Sequence, residues 1–363
     1  MTVGMDTLVS PDYQTARARF CERAEARGFR LESFAIGQTG PGGEDLTIDA
    51  AILGSDRPER ALVVSSGLHG VEGYFGSAVQ LGWLDEPAKR VELRPDAAIV
   101  LLHALDPFGF AWVRRFDENN VDLNRNFVVE PGGHQGCHPL YDRLNPLLNP
   151  ENPPARIDLF AVRALMTQLR HGAKEVRSAV AQGQYVYPRG LFFGGTGPSR
   201  VQEILEANLP RWLGEARAVM HLDFHTGLGR WGTHKLLLDQ GLDRARVAWI
   251  KQSFGADRVD HWGTDGIAYP TRGEIGVWCR KLFPKCAYDP ICAEFGTYSG
   301  LRVLSALRTE NQAHHWLPDG HPARVRAKKR LMDAFVPDDP GWRRKTVADA
   351  LALIERARTV LWR

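Results

Sequence analysis

Two short apolar runs with a helix-length apolar segment between them constrain the fold of this chain most. Ala61–Ser65 and Ala97–His103 are rich in Val, Ile and Leu and end at turn residues, as buried strands do. Between them lies Tyr74–Leu84, long enough for a helix. Strand, helix, strand is the unit of an α/β sheet. Further strand-like runs are Leu46–Leu53, Ala218–Phe224, His234–Leu238 and Pro290–Phe295. Helices are expected over Ser10–Arg27 (opened by Pro11), Arg200–Leu213, Asp243–Phe254, Ser299–Trp316, Ala323–Phe335 and Thr346–Trp362. The expectation is one α/β domain over residues 1–363: a mixed, twisted sheet with helices on both faces and C-terminal helices over about 318–363.

The stretch from Val128 to Gly197 differs. Pro131–Pro154 is dense in Pro, Gly and Asn, a long helix follows over about Ile157–Ala181, and Gly190–Pro198 is glycine-rich. This reads as an insertion of about 128–197 lying on a sheet edge or over a cleft as a lid, because a loop this long in a compact fold is often functional. The glycines at 194–197 lack the Lys-Ser/Thr of a phosphate loop.

Composition narrows the partners. Over 363 residues, 44% hydrophobic and 25% charged content are ordinary for a globular protein. A net charge of +3, with Lys and Arg spread along the chain, gives no footprint for nucleic acid or an anionic membrane. No apolar run has the length of a transmembrane helix, and the first residues lack the basic start and apolar core of a signal peptide. Five cysteines without a CxxC pair point away from a disulfide framework or a thiolate zinc site and toward a reducing cytoplasm.

The chemistry-bearing residues are scattered. His69 and Glu72 follow the Ala61–Ser65 run; their i, i+3 spacing puts both on one face of a starting turn. Such a pair alone is most often a satisfied surface pair. In Val219–His225, residues 221, 223 and 225 share a strand face. His225 is at the strand's mouth, His221 is deeper and reads as a core histidine, and Asp223 either supports a neighbour or closes the strand end. Asn119–Phe127 is a polar run around Arg125. It reads either as a solvated loop of Asx turns or as a planar grip for a carboxylate. Two His and one Glu can hold Zn²⁺ and leave a fourth position open. Glu294 is a separate carboxylate able to take a proton, and Arg115 and Arg125 can meet negative charge.

The order of these pieces resembles the zinc carboxypeptidase (M14) superfamily. The matching segments are His69-x-x-Glu72, Leu105-Asp106-Pro107-Phe108-Gly109, Arg115, Asp122-Leu123-Asn124-Arg125-Asn126-Phe127, Asp223-Phe224-His225 and Ala293-Glu294-Phe295-Gly296. More narrowly, Glu118–Phe127 and Gly190–Gly195 resemble an uncharacterised bacterial branch, DUF2817. The resemblance implies one Zn²⁺ per chain on His69, Glu72 and His225, with Asp122 orienting His69. It implies that Asn124 and Arg125 hold a substrate carboxylate, that Arg115 stabilises the oxyanion, and that Glu294 serves as general base and then acid. Asp106 stands where the relatives' loop usually has Asn, and Tyr269 and Tyr288 are candidates for a substrate-capping tyrosine.

The implied function is zinc-dependent hydrolysis of an amide bond near a free carboxylate, on a small peptide. Asp223-Phe224-His225-Thr226 is also similar to the Asp-Leu-His-Thr of related N-acyl amino-acid deacylases, which makes an N-acyl amino acid the alternative substrate. A zinc-retaining binding protein without turnover is a third reading. Glu294 and Arg115 argue against it, because holding metal requires neither.

Overall fold

The computed structural model describes residues 7–86, 93–239, 241–261 and 271–363. The strands are β1 (Arg30–Thr39), β2 (Asp45–Gly54), β3 (Arg60–Ser66), β4 (Ala97–His103), β5 (Ala218–Thr226), β6 (His234–Leu238), β7 (Val259–His261) and β8 (Ala287–Phe295). The helices are α1 (Tyr13–Ala26), α2 (Gly73–Asp85), α3 (Pro107–Ala111), α4 (Pro139–Leu148), α5 (Phe160–His171), α6 (Ala173–Ala181), α7 (Arg200–Leu213), α8 (Arg244–Phe254), α9 (Ile275–Leu282), α10 (Gly300–Trp316), α11 (Pro322–Phe335) and α12 (Pro340–Leu361). Every strand-like run of the sequence is a strand.

The strands form one mixed sheet in the order β1-β2-β4-β3-β5-β8-β6-β7. β4, β3, β5 and β8 run parallel at its centre. β2 is antiparallel to β1 and β4, and β6 is antiparallel to β8. From β3 the chain crosses through α2 to β4 on one side, while β5 enters on the other. That reversal opens a crevice beyond the carboxyl ends of β3 and β5, where ligands of α/β sheets bind.

Alternation along the central strands separates core from site. On β5, Met220, Leu222 and Phe224 are buried, and Phe224 packs edge-on against Phe75 of α2 at 6.5 Å between ring centroids. Phe75 also meets Phe295 at 4.8 Å and Trp342 of α12 at 5.6 Å. The opposite face of β5 carries His221, Asp223 and His225. α2 is buried along nearly its whole length, as a helix sandwiched between a sheet and α12 must be.

Residues 157–181 are two helices, not one. Gly172 adopts φ +85°, outside helical geometry, and ends α5 before α6 begins. The edge strand β1 is mostly solvent-facing, so it lacks an apolar run. All five cysteines are free. No helix among the described residues is long and apolar enough to cross a membrane.

Phe75 joins the sheet, α2 and α12, so Phe75→Ala is expected to lower stability by about 3–5 kcal/mol. Denaturant unfolding measures this, and a loss below about 1 kcal/mol would contradict the packing described.

Candidate metal centre and active site

Glu72 lies at the end of a short 3₁₀ turn, Gly70–Glu72, that follows β3 and leads into α2. The turn is pinned by the backbone N–H groups of Gly70 and Val71, which donate to the carbonyls of Arg115 and Arg114. A Cβ at Gly70 would lie 2.0 Å from the backbone of Gly109, so only glycine admits this approach. His225 sits at the end of β5, in register with Glu294 at the end of β8. The side chains of His69, Glu72, His225 and Glu294 are all buried.

The imidazoles are oriented alike. His69 turns Nδ1 inward, 3.0 Å from Glu72 Oε1, and its Nε2 lies 3.1 Å from Asp122 Oδ1. His225 turns Nδ1 inward, 3.0 Å from Glu72 Oε2 and 3.2 Å from His69 Nδ1, and its Nε2 lies 2.6 Å from Asp223 Oδ2. A carboxylate beside each Nε2 favours the tautomer protonated there, which turns the Nδ1 lone pair to the centre. This arrangement fixes the tautomer and raises ligand basicity in metal sites. The inward atoms of His69, Glu72 and His225 lie within 4.8 Å of one another. A donor set of two imidazole nitrogens and a carboxylate fits a divalent ion of the zinc class.

The electrostatics follow from burial and pairing. Burial works against ionisation of Glu72, yet His69 and His225 hold its carboxyl well below the usual range. Burial likewise opposes the charge on Asp122, which Arg115 and His69 overcome. Burial disfavours His225⁺, but Asp223 and Glu72 push its pKa well above the ordinary value. Glu294 is the exception: burial first, then the charge of Glu72, lifts it to about 7. Its Oε1 accepts a 2.8 Å hydrogen bond from the Leu228 N–H.

Adjacent arginines run in opposite directions. Arg114 is fully buried and donates to Glu310, Asn120 and Asn311, tying the loop to α10. Arg115 reaches the centre, with Nη1 3.0 Å from Glu72 Oε1, Nε 2.9 Å from Asp122 Oδ2 and Nη2 2.8 Å from His69 Nε2. Arg125 donates from Nε to the Ala181 carbonyl and from Nη1 to the Asn124 carbonyl, and it lines the same cavity as the histidines. Asn124 Oδ1 accepts from the Ile275 N–H at 3.2 Å.

The glycine-rich stretch has a structural task. Asn126 donates to the carbonyls of Gly194 and Gly197, the Asp122 N–H donates to Phe193, and Tyr185 donates to the Arg125 carbonyl. A Cβ at Gly194 would strike Tyr185, and one at Gly273 (φ +70°) would lie 2.3 Å from the Arg125 carbonyl. These glycines let three chain segments clamp the Asp122–Phe127 loop.

The structure thus gathers His69, Glu72, His225, Glu294, Arg115, Asn124 and Arg125 on one cavity of about 410 Å³, with Asp122 behind His69. Helices α4, α5 and α6 supply one wall. His221 is a core histidine, facing Ser65 Oγ at 2.7 Å and Tyr288 Oη at 2.9 Å, with burial pushing its pKa down to about 4. Tyr288 is therefore packed away from the cavity mouth, and Tyr269 lies outside the described residues. Asp106 caps α3 by accepting from the Gly109 N–H, and burial raises its carboxyl well above the usual range. Sequence reasoning left Asp223 undecided and missed Asp239 and Glu274, which also line the cavity. Asp223 alternates with His225 on one strand; the other two are single acids with no motif.

Residues 9–349 match the family described as "Protein of unknown function (DUF2817)", and the chain belongs to it. No curated protein matches the chain. Among solved structures, a presumptive metallopeptidase from Shewanella amazonensis SB2B is 16% identical, with 90% of this chain and 94% of that one covered and a TM-score of 0.42. Carboxypeptidase A from Helicoverpa armigera is 12% identical over 89% of this chain and 73% of that one, with a TM-score of 0.45. Bovine thrombin-activatable fibrinolysis inhibitor, solved with a tick carboxypeptidase inhibitor, is 11% identical over 97% of both chains, with a TM-score of 0.49.

The raised pKa of Glu294 has a sign that can be measured. The native carboxyl holds its proton up to about 7, against 4.5 unperturbed. Between those values the native state binds more protons than the unfolded one, so stability falls as pH rises through the window. In chelator-treated protein, Glu294→Gln is expected to be more stable than the parent at pH 8 by about 1–3 kcal/mol. The gap should shrink toward pH 5; an equal gap at both pH values in denaturant unfolding contradicts the assignment.

Proposed function

We propose that this protein is a zinc-dependent hydrolase of the carboxypeptidase kind, cleaving an amide bond next to a free carboxylate on a small peptide. One observation carries the reading: a two-histidine, one-glutamate donor set, a high-pKa carboxylate beside it and an arginine all open onto one cavity. His69, Glu72 and His225 hold the ion, and Asp122 and Asp223 orient the two imidazoles. The ion supplies Lewis acidity toward water and toward the scissile carbonyl oxygen.

The chain's own residues do the rest. Arg125, with Asn124 beside it, receives the substrate carboxylate and sets which amide reaches Glu294. Glu294 takes a proton from the attacking water as the water oxygen bonds to the carbonyl carbon. A pKa near neutrality suits a group that must accept that proton and release it again. Arg115 meets the negative charge that develops on the carbonyl oxygen. As the carbon–nitrogen bond breaks, Glu294 passes its proton to the leaving amine, which returns the carboxylate to its starting state.

A deacylase acting on N-acyl amino acids uses the same machinery. The observation that favours it is the Asp223–His225 pair followed by Thr226, whose N–H donates to Glu72 at 3.0 Å.

The test is hydrolysis of dipeptides and N-acyl amino acids by zinc-loaded protein, with Glu294→Gln in parallel. Turnover is expected for free acids and not for their C-terminal amides. The variant should retain one zinc per chain and lose at least about 10²-fold in rate. Rates within a few-fold of the parent's would remove Glu294 from the mechanism.

A further inference from the structure

One wall of the cavity has no task in the proposed hydrolysis. It comes from α4, α5, α6 and α10. Leu144, Leu147 and Leu148 line it from α4, and Leu301, Leu304 and Leu307 from α10. Each set recurs at three or four residues, as one stripe of a helix does. Phe160 and Ala164 of α5 and Val176 and Val180 of α6 repeat the spacing. Leu147, Val176, Leu301 and Leu304 pack against the core yet stay half-buried. Apolar surface left open inside a cavity is surface that a ligand gains by covering.

The wall is poor in partners for polar groups. A peptide lying along it would bring one N–H and one C=O for almost every residue. Helices bond their own backbone groups along the axis, apart from their ends, and present no edge to pair with. The polar side chains lining the cavity from these helices are Thr167, Gln168 and Arg177, and Arg177 is exposed. A peptide amide buried there without a partner is costly. An alkyl chain has no polar group to satisfy, so the wall suits a run of methylenes better than further peptide units. The wall also adjoins the reacting groups. α10 starts at Gly300, shortly after Glu294 in the chain, and both residues line the cavity. α6 ends at Ala181, whose carbonyl accepts from Arg125.

We propose that this wall holds an aliphatic acyl chain, and that the substrate is an amino acid carrying a medium or long acyl group on its nitrogen. The inference rests on the deacylase form of the hydrolase reading, with the amino acid's carboxylate on Arg125. The water oxygen bonds to the acyl carbon, the carbon–nitrogen bond breaks, and Glu294 carries the water's proton to the leaving nitrogen. The products are a fatty carboxylic acid and the free amino acid.

The test is isothermal titration of zinc-loaded protein with decanoate and with butanoate, both below micelle-forming concentration, which reads binding without turnover. Decanoate is expected to bind at least about 10²-fold more tightly, part of what its extra methylenes contribute. Leu304→Asn, at a half-buried position on the wall, should cut that ratio about ten-fold. Leu169→Gln, on the exposed side of α5, should leave it unchanged. Equal binding of the two acids, or an unchanged ratio in Leu304→Asn, overturns the proposal. So does a ratio lost in Leu169→Gln, because the chain would then lie outside the cavity. Leu147→Asn, on α4, decides the matter if Leu304→Asn does not fold. Turnover of N-decanoyl and N-acetyl amino acids separates the two readings. Preference for decanoate without turnover of either substrate refutes the hydrolase and leaves the acyl site standing. Turnover that does not favour the decanoyl substrate refutes the acyl site and leaves the hydrolase standing.

Discussion

Two buried imidazoles, each tied through its outer nitrogen to a carboxylate, are the constraint on which the site depends. Asp122 holds His69 and Asp223 holds His225, so both inner nitrogens converge on Glu72. Without those carboxylates the rings could take the other tautomer and offer a proton where a lone pair is needed. The arrangement also accounts for Arg115, whose charge lies against Glu72 and Asp122 and offsets two buried anions. These charged groups are concentrated within an otherwise apolar sheet.

Topology makes that concentration possible. β3, β5 and β8 run parallel and adjacent, so residues that follow or end them are neighbours although His69 and Glu294 are far apart in sequence. The reversal of strand order at β3 leaves room for the 3₁₀ turn and the Asp122–Phe127 loop. Fixing that loop takes Asn126, Tyr185 and close-packed glycines from two other segments. A loop held this way presents Arg125 to the cavity with two of its three nitrogens already bonded, which would lower the ordering cost of the proposed grip on a substrate carboxylate.

Much of this was legible in the sequence, for physical reasons. The central strands are buried on both faces and therefore read as continuous apolar runs, and His225 was readable as the residue at a strand's mouth. β1 was not legible because an exposed edge strand carries no apolar run. The split between α5 and α6 depends on one glycine whose backbone conformation composition does not reveal. Asp122 was visible within a motif, whereas Asp223 is ambiguous until its distance to His225 is known. Asp239 and Glu274 are isolated acids on separate elements, after β6 and at the start of α9, which only the fold brings to one cavity.

The central claim is that the inner nitrogens of His69 and His225, with Glu72, form one ion site. Anomalous diffraction at the zinc edge from zinc-soaked crystals tests it most directly. The account predicts one strong peak about 2.0–2.2 Å from both Nδ1 atoms and from the Glu72 carboxylate, with Asp122 and Asp223 still on the Nε2 atoms. A peak on Cys292 and Glu294 instead, or none between the two imidazoles, would contradict it.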